Sequence, residues 1–215
     1  MSRTVLKSPA EIGIMDEANR IIRGILDDLE ERVRPGVTTG ELDAFAEARI
    51  REAGGVPAFK GYPHRGDGND FPGTICASIN DEIVHGVPSH RTRLDEGDVI
   101  SIDLGIRLNG YFGDSARTFA VGKISGEARR LMDVTRESLR LAVDQVAPGN
   151  RVSDIGYAVQ TYVEQQGFSV VREFVGHGIG ANLHEDPQIP NFGTPGRGLR
   201  LTSGMVLAIE PMVNA

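Results

Sequence analysis

Only one cysteine, Cys76, occurs among the 215 residues, so no internal disulfide can form. No apolar run approaches the roughly 20 residues needed to span a bilayer. The opening Met1-Ser-Arg-Thr-Val-Leu-Lys lacks the apolar stretch of a signal peptide. Positive charge is also in deficit: 23 Lys and Arg against 30 Asp and Glu leave a net charge of −7. That balance argues against a nucleic-acid binder whose affinity comes from neutralising phosphates. No Pro/Ser-rich linker or block of like charge interrupts the chain. The expectation is a reduced, cytoplasmic protein with no membrane or nucleic-acid partner. It is large enough for one substantial domain, or two small ones, with a real core.

What is present repeats itself. Ser8-Pro9-Ala10-Glu11 combines a capping box with proline at the first helical position. An apolar stripe follows at Met15, Ala18, Ile22, Ile25, Leu26, Leu29 and Val33, predicting a helix that stops at Pro35-Gly36. A second helix is predicted from about Thr39 to Ala53, closed by Gly54-Gly55. The same grammar returns downstream, with a helix from about Gly126 to Val146 and another from about Ser153 to Gln166. Aligning Pro35 on Pro148 superposes Val33 on Val146, Leu42 on Ile155, Ile50 on Val163 and Gly54 on Gly167 without a gap. His85-Gly-Val-Pro88 then echoes His184-Glu-Asp-Pro187, and the strand leading to Ile102-Asp103 echoes the one leading to Ile209-Glu210. The pattern predicts an α+β protein of two similar helix–helix–sheet halves, about 8–120 and 121–215, packed as one domain over 1–215.

Within the first half, Asn109-Gly110 is a strong signal for a two-residue type I′ hairpin. Such a turn sets Leu108 opposite Tyr111, Gly105 opposite Asp114 and Asp103 opposite Ala116. Asp103 and Asp114 then share one face of the ribbon as diagonal neighbours, about 7–8 Å apart at the backbone. Two carboxylates aimed at one point on a half-buried sheet are costly unless a cation sits between them. Taken alone, Asp114 between Gly113 and Ser115 reads as an ordinary turn aspartate; the pair reads as a cation site. Under the repeat, Glu210 becomes the counterpart of Asp103.

His177 lies in Gly176-His-Gly-Ile-Gly180, just after the strand pattern Val170–Val175. Flanking glycines leave room for a ligand or another backbone to approach closely. A phosphate cradle is disfavoured, since the Lys-Ser/Thr of a P-loop is missing. His184-Glu185-Asp186-Pro187 is not a His-Glu-x-x-His zinc helix, because no second histidine follows at that spacing. His85 and His184 each head a similar turn, whereas His64 and His90 have no such context. Three carboxylates and one histidine form an oxygen-rich set, suited to Mn²⁺, Fe²⁺ or Co²⁺ more than to a thiolate-type zinc site. Shared carboxylates suit two metals about 3.5–4 Å apart, the arrangement of metal-assisted hydrolysis.

The ordered set His85, Asp103, Asp114, Gly-His177-Gly, His184 and Ile-Glu210-Pro-Met resembles the type I methionine aminopeptidases of the pita-bread fold. The resemblance runs from the Pro35-Gly36-Val-x-Thr-x-Glu-Leu stretch to the last residue. Xaa-Pro aminopeptidases and prolidases share the fold, but the His-Gly-Val-Pro turn and the Ile-Glu-Pro-Met-Val ending look more like the methionine enzymes.

The resemblance implies removal of N-terminal methionine from nascent proteins with two divalent cations (Co²⁺, Mn²⁺, Fe²⁺ or Zn²⁺). Asp103 would bind the first metal and Asp114 would bridge both. His177 and Glu210 would bind the second, with Glu210 also relaying a proton. His85 and His184 would contact the substrate and act in catalysis, and Tyr62 and Cys76 would line the methionine pocket. It further implies a compact monomer, with the ribosome as a candidate docking partner. A non-catalytic pita-bread binding module and an Xaa-Pro aminopeptidase are the competing readings. Two departures stand out. Pro63–Asp70 forms a longer and more polar loop than compact relatives lead one to expect. The family's fifth ligand, a glutamate after the Glu-Pro-Met motif, would fall beyond Ala215. That predicts a truncated chain of low activity.

Overall fold

The computed structural model describes residues 4–63 and 70–215. Residues 64–69, which include most of the predicted polar loop and His64, lie outside the described residues. The base of that loop is described: Gly61 N–H donates to the Phe71 carbonyl at 2.8 Å, and Phe71 N–H returns to the Tyr62 carbonyl at 2.9 Å. The chain divides into two compact units, one of Gly13–Ser125 and one of Met1–Ile12 with Gly126–Ala215.

In the first unit, helices α1 (Pro9–Glu30, from Gly13 onward) and α2 (Thr39–Glu52) precede strands β1 (Val56–Pro57), β2 (Ile75–Ile79), β3 (Val99–Leu108) and β4 (Tyr111–Ala120). α1 ends at Glu30, earlier than the Pro35-Gly36 signal suggests. Arg32 and Val33 both direct their N–H at the Leu29 carbonyl, and this tightened turn takes the chain out of the helix before the proline. α2 starts on a full capping box: Thr38 Oγ1 accepts the Glu41 N–H at 3.2 Å, and Glu41 returns a carboxylate oxygen to the Thr38 N–H at 2.7 Å.

β3 is the central strand, antiparallel to β1 and β2 on one side and to β4 on the other. Its residues alternate with period 2. Ile100, Ile102, Leu104, Ile106 and Leu108 are buried against Ala18, Ile22, Ile25, Leu26 and Leu29 of α1 and Leu42, Ala46 and Ile50 of α2. Val99, Ser101, Asp103 and Gly105 therefore point to the face away from the helices.

In the second unit, α3 (Gly126–Asp144) and α4 (Val152–Gln165) precede β5 (Ser169–Val170), β6 (Gly176–Gly178), β7 (Glu185–Ile189), β8 (Leu207–Ala208) and β9 (Val213–Asn214). β6 pairs with β7 on one side and β8 on the other, while β5 pairs with β9. Val134 and Ala142 of α3 pack with Ile155, Val159 and Val163 of α4, Phe168, Val170 and Ile189.

The strand read over Val170–Val175 is a correction, because strand structure there ends at Val170. Val171 N–H still bonds the Met212 carbonyl at 2.9 Å, but Arg172, Glu173 and Phe174 are exposed, so nothing rewards continued pairing. No helix among the described residues is long and apolar enough to cross a membrane.

Candidate metal centre and substrate-contacting residues

The hairpin register is the one expected from Asn109-Gly110. Leu108 faces Tyr111, Gly105 faces Asp114 and Asp103 faces Ala116. Both turn residues have positive φ, +48° and +89°, as a type I′ turn requires. Asp103 and Asp114 consequently lie on one face, the face turned away from α1 and α2.

Other predicted site residues of this unit gather on the same face. Cys76 of β2 is the direct cross-strand neighbour of Asp103. Its thiol is driven well above the usual cysteine range, first by burial and then by the negative charges of Asp103 and Asp114. A neutral, inert sulfhydryl follows. His85 sits beside it in a left-handed conformation, φ +63°. The next residue, Gly86, hydrogen-bonds across β2: Ala77 N–H donates to the Gly86 carbonyl at 2.8 Å and Gly86 N–H to Ser78 Oγ at 3.1 Å. Only glycine fits there, since a Cβ on Gly86 would stand 2.3 Å from the Ala77 carbonyl oxygen.

Gly105, between the two aspartates, is required by a different neighbour. A Cβ there would lie 2.8 Å from Ala58 Cβ and 2.9 Å from the Phe59 ring, so the segment after β1 crosses on the carboxylate side. That segment leads to the half-exposed Tyr62. Phe59 is a residue that reading the sequence missed, and the lone glycine inside an apolar strand was the available signal.

In the second unit, His177, expected just past a strand, is itself the middle residue of the strand β6. The alternating glycines explain the difference. A Cβ on Gly176 would lie 2.3 Å from the Ala208 carbonyl oxygen, and one on Gly178 2.3 Å from that of Asp186. The space around His177 is thus used by neighbouring strand backbones. His184 precedes β7 directly, so its expected turn runs into a strand at Glu185.

The His177 ring is buried. Its Nδ1 lies 2.9 Å from the Gly178 carbonyl, and its Nε2 lies 3.3 Å from Glu210 Oε1. With Nδ1–H donated to the carbonyl, Nε2 presents a lone pair to a carboxylate oxygen. Two acceptors at that distance require a cation between them, either a second ring proton or a metal ion. The donor chemistry thus fits a divalent metal in both units: paired carboxylates in one, imidazole and carboxylate in the other.

The His184 ring meets that of His177 edge to face, with centroids 4.4 Å apart. Asn191, nearly fully buried, donates its side-chain N–H to the Glu210 carbonyl at 2.8 Å, a support the sequence did not reveal. Within neither unit, among the described residues, do three His, Cys, Asp or Glu side chains by themselves form a metal-holding group. A groove of about 480 Å³, lined by Leu141, Tyr157, Tyr162 and Pro195 among others, carries none of the predicted site residues.

With strand-borne carboxylates, a carbonyl-oriented histidine and flanking histidines in place, the class is that of a hydrolytic metalloenzyme. The chain belongs to metallopeptidase family M24, whose model matches residues 13–215. It is 54% identical over 211 residues to methionine aminopeptidase 1 of Bacillus subtilis, covering 98% of this chain and 82% of that one. A crystal structure of methionine aminopeptidase from Thermotoga maritima matches with a TM-score of 0.94 at 40% identity, over 98% of this chain and 82% of that one. The prolidase of Pyrococcus furiosus matches less well, with a TM-score of 0.81 at 26% identity, over 97% of this chain and 57% of that one. The fold is the pita-bread fold of these enzymes, and the family makes this a metal-dependent peptidase.

Proposed function

We propose that this protein removes the N-terminal methionine from peptides and nascent proteins by metal-assisted hydrolysis. The observation that carries the reading is the β3–β4 register, which turns Asp103 and Asp114 to one face, where a divalent cation would offset the repulsion between them. The identity to methionine aminopeptidases supports the choice of substrate.

In this reading Asp103 would hold a first divalent cation, Asp114 would be shared with a second, and His177 and Glu210 would complete the second position. Bound there, Mn²⁺, Fe²⁺, Co²⁺ or Zn²⁺ would supply a water of lowered pKa and polarise the scissile carbonyl. Glu210 takes the proton of the attacking water and passes it on. His177 keeps Nε2 aimed at the site because Nδ1 is committed to the Gly178 carbonyl. His85 and His184 orient the scissile peptide and donate hydrogen bonds to the charge that develops on it. Cys76, held neutral, and Tyr62 flank the methionine side chain, a flexible thioether that needs an apolar, adaptable wall. Such an enzyme works in the cytoplasm on chains emerging from the ribosome.

The protein supplied with Mn²⁺ or Co²⁺ should release free methionine from Met-Ala-Ser, lose that activity to a chelator and recover it on addition of metal. An Xaa-Pro peptide should remain uncut. Absence of methionine release with every one of the four metals would overturn the proposal in favour of a binding module. Preferential cleavage before proline would favour the Xaa-Pro reading. A calorimetric metal titration reads the two-metal count directly.

A further inference from the structure

One buried charged pair is left over by this chemistry. Lys7 Nζ lies 2.5 Å from Glu185 Oε2, with the two side chains only 3% and 8% exposed. The ammonium also donates to the Val5 carbonyl at 2.9 Å, and the Lys7 backbone N–H is fixed to the Gly204 carbonyl at 2.7 Å. The second carboxylate oxygen, Oε1, accepts the Asn182 N–H at 3.1 Å. One carboxylate therefore closes the turn over residues 182–185, and His184 sits inside that turn. On the adjoining strand Glu185 faces Gly178, the neighbour of His177 in sequence.

The third glycine of Gly176-His-Gly-Ile-Gly180 belongs to the same device. A Cβ on Gly180 would stand 2.3 Å from Lys7 Cε and 2.7 Å from Glu185 Oε1. The chain has cleared a side chain to make room for the ion pair.

Burying an ammonium and a carboxylate seldom gains stability over a well-packed apolar pair of similar volume. An apolar pair, however, could not fasten the Asn182 N–H and so define the turn that carries His184. We propose that Lys7 and Glu185 are positioning residues for the reaction. They hold the turn that aims His184 and, through the edge-to-face ring contact, the orientation of His177. The proposal rests on the reading above, in which His184 contacts the substrate.

Lys7→Met alone strands a buried carboxylate and can unfold the chain, so the double variant Lys7→Met/Glu185→Met, which removes both charges and the acceptor of the Asn182 N–H, is the main test. The double variant should fold. Its kcat on Met-Ala-Ser should fall about tenfold while KM changes less than about threefold, the signature of lost alignment. In metal-free protein the ring ¹H–¹³C resonances of His184 and His177 should move, while that of His90 stays. A double variant with wild-type kcat and unmoved His184 and His177 resonances would overturn the proposal. So would a fall in kcat accompanied only by a lower melting temperature, with the resonances unmoved. If the unsubstituted protein releases no methionine yet the double variant still shifts both rings, the substrate reading fails and the positioning of the histidines stands.

Discussion

The hairpin that carries Asp103 and Asp114 and the short-stranded region that holds His177 in β6 and Glu210 just past β8 reach a similar end by different means. β3 and β4 pair without interruption over ten residues each, and the buried Ile and Leu of β3 dictate which face every other residue takes. A slip of one position would expose that whole set, so the hairpin specifies its own register. β6 has three residues and β8 two, too few for alternation to specify anything. Their geometry depends on individual contacts: glycines that let backbones close, the Asn191 amide on the Glu210 carbonyl, and the Lys7–Glu185 pair. Substitutions near Asp103 and Asp114 should therefore act on the proposed chemistry, and those near His177 and Glu210 on structure as well.

The largest effect expected is chemical. Asp114→Asn keeps the shape of a half-buried side chain and leaves the β3–β4 ladder intact. It removes the charge proposed to bridge two cations, so turnover should fall by at least about a thousandfold with the melting temperature nearly unchanged. A steady-state assay beside a thermal melt checks both halves. Retained activity would refute the bridging role.

A pair of glycine substitutions tests the contrast in structure. Gly178→Ala puts a methyl 2.3 Å from the Asp186 carbonyl oxygen, a backbone atom that cannot swing aside. A loss of about 3 kcal/mol is expected from such overpacking. Gly110→Ala in the hairpin turn meets no atom within 4 Å and bears only the strain of φ +89°, about 1 kcal/mol. Denaturant midpoints compare them, and equal losses would break the distinction between the two regions. Asn191→Ala comes next, at about 1–2 kcal/mol for a buried hydrogen bond removed from the Glu210 backbone, with weaker retention of metal on dialysis.

The same contrast decides what could be read from the sequence. The hairpin register was legible down to individual pairs, because Asn109-Gly110 defines the turn and a period of two does the rest. Three of the four helices among the described residues end within two residues of their signals, α1 being the exception. The glycines around His177 were legible as a need for close approach, but not which neighbour approaches. That is set by β7, by the more distant β8 and by the Lys7 side chain from the other end of the chain. The strand pattern at Val170–Val175 misled because apolar residues predict pairing only where a partner strand is present to pair with. Lys7, Glu185, Asn191 and Phe59 carry no local signal of their own. A buried lysine near the N-terminus reads as a surface residue until its carboxylate is found 178 positions away.

The smallest effects concern the helix starts, where the two units again differ. α2 opens on Thr38, whose hydroxyl accepts the Glu41 N–H, and Thr38→Ala should cost about 1 kcal/mol. α4 has Arg151 at the equivalent place; there the Leu199 carbonyl accepts the Val152 N–H at 2.9 Å, and Asp154 accepts the Gly196 N–H at 2.6 Å and the Arg151 N–H at 2.7 Å. These two bonds, Gly196 first, hold the Asp154 carboxyl below its ordinary range. A carboxyl depressed in the folded state stabilises above its unfolded value, about 3.9, and that contribution disappears as pH falls through the folded value. Urea midpoints between about pH 2 and 6 should therefore fall less steeply on the acid side in Asp154→Asn than in the parent. Thr38→Ala, which leaves Asp154 in place, should lower the midpoints without removing the Asp154 contribution to that slope. An acid slope unchanged by Asp154→Asn would mean that its two backbone bonds do not depend on charge, and that the two helix starts are held more alike than their sequences suggest.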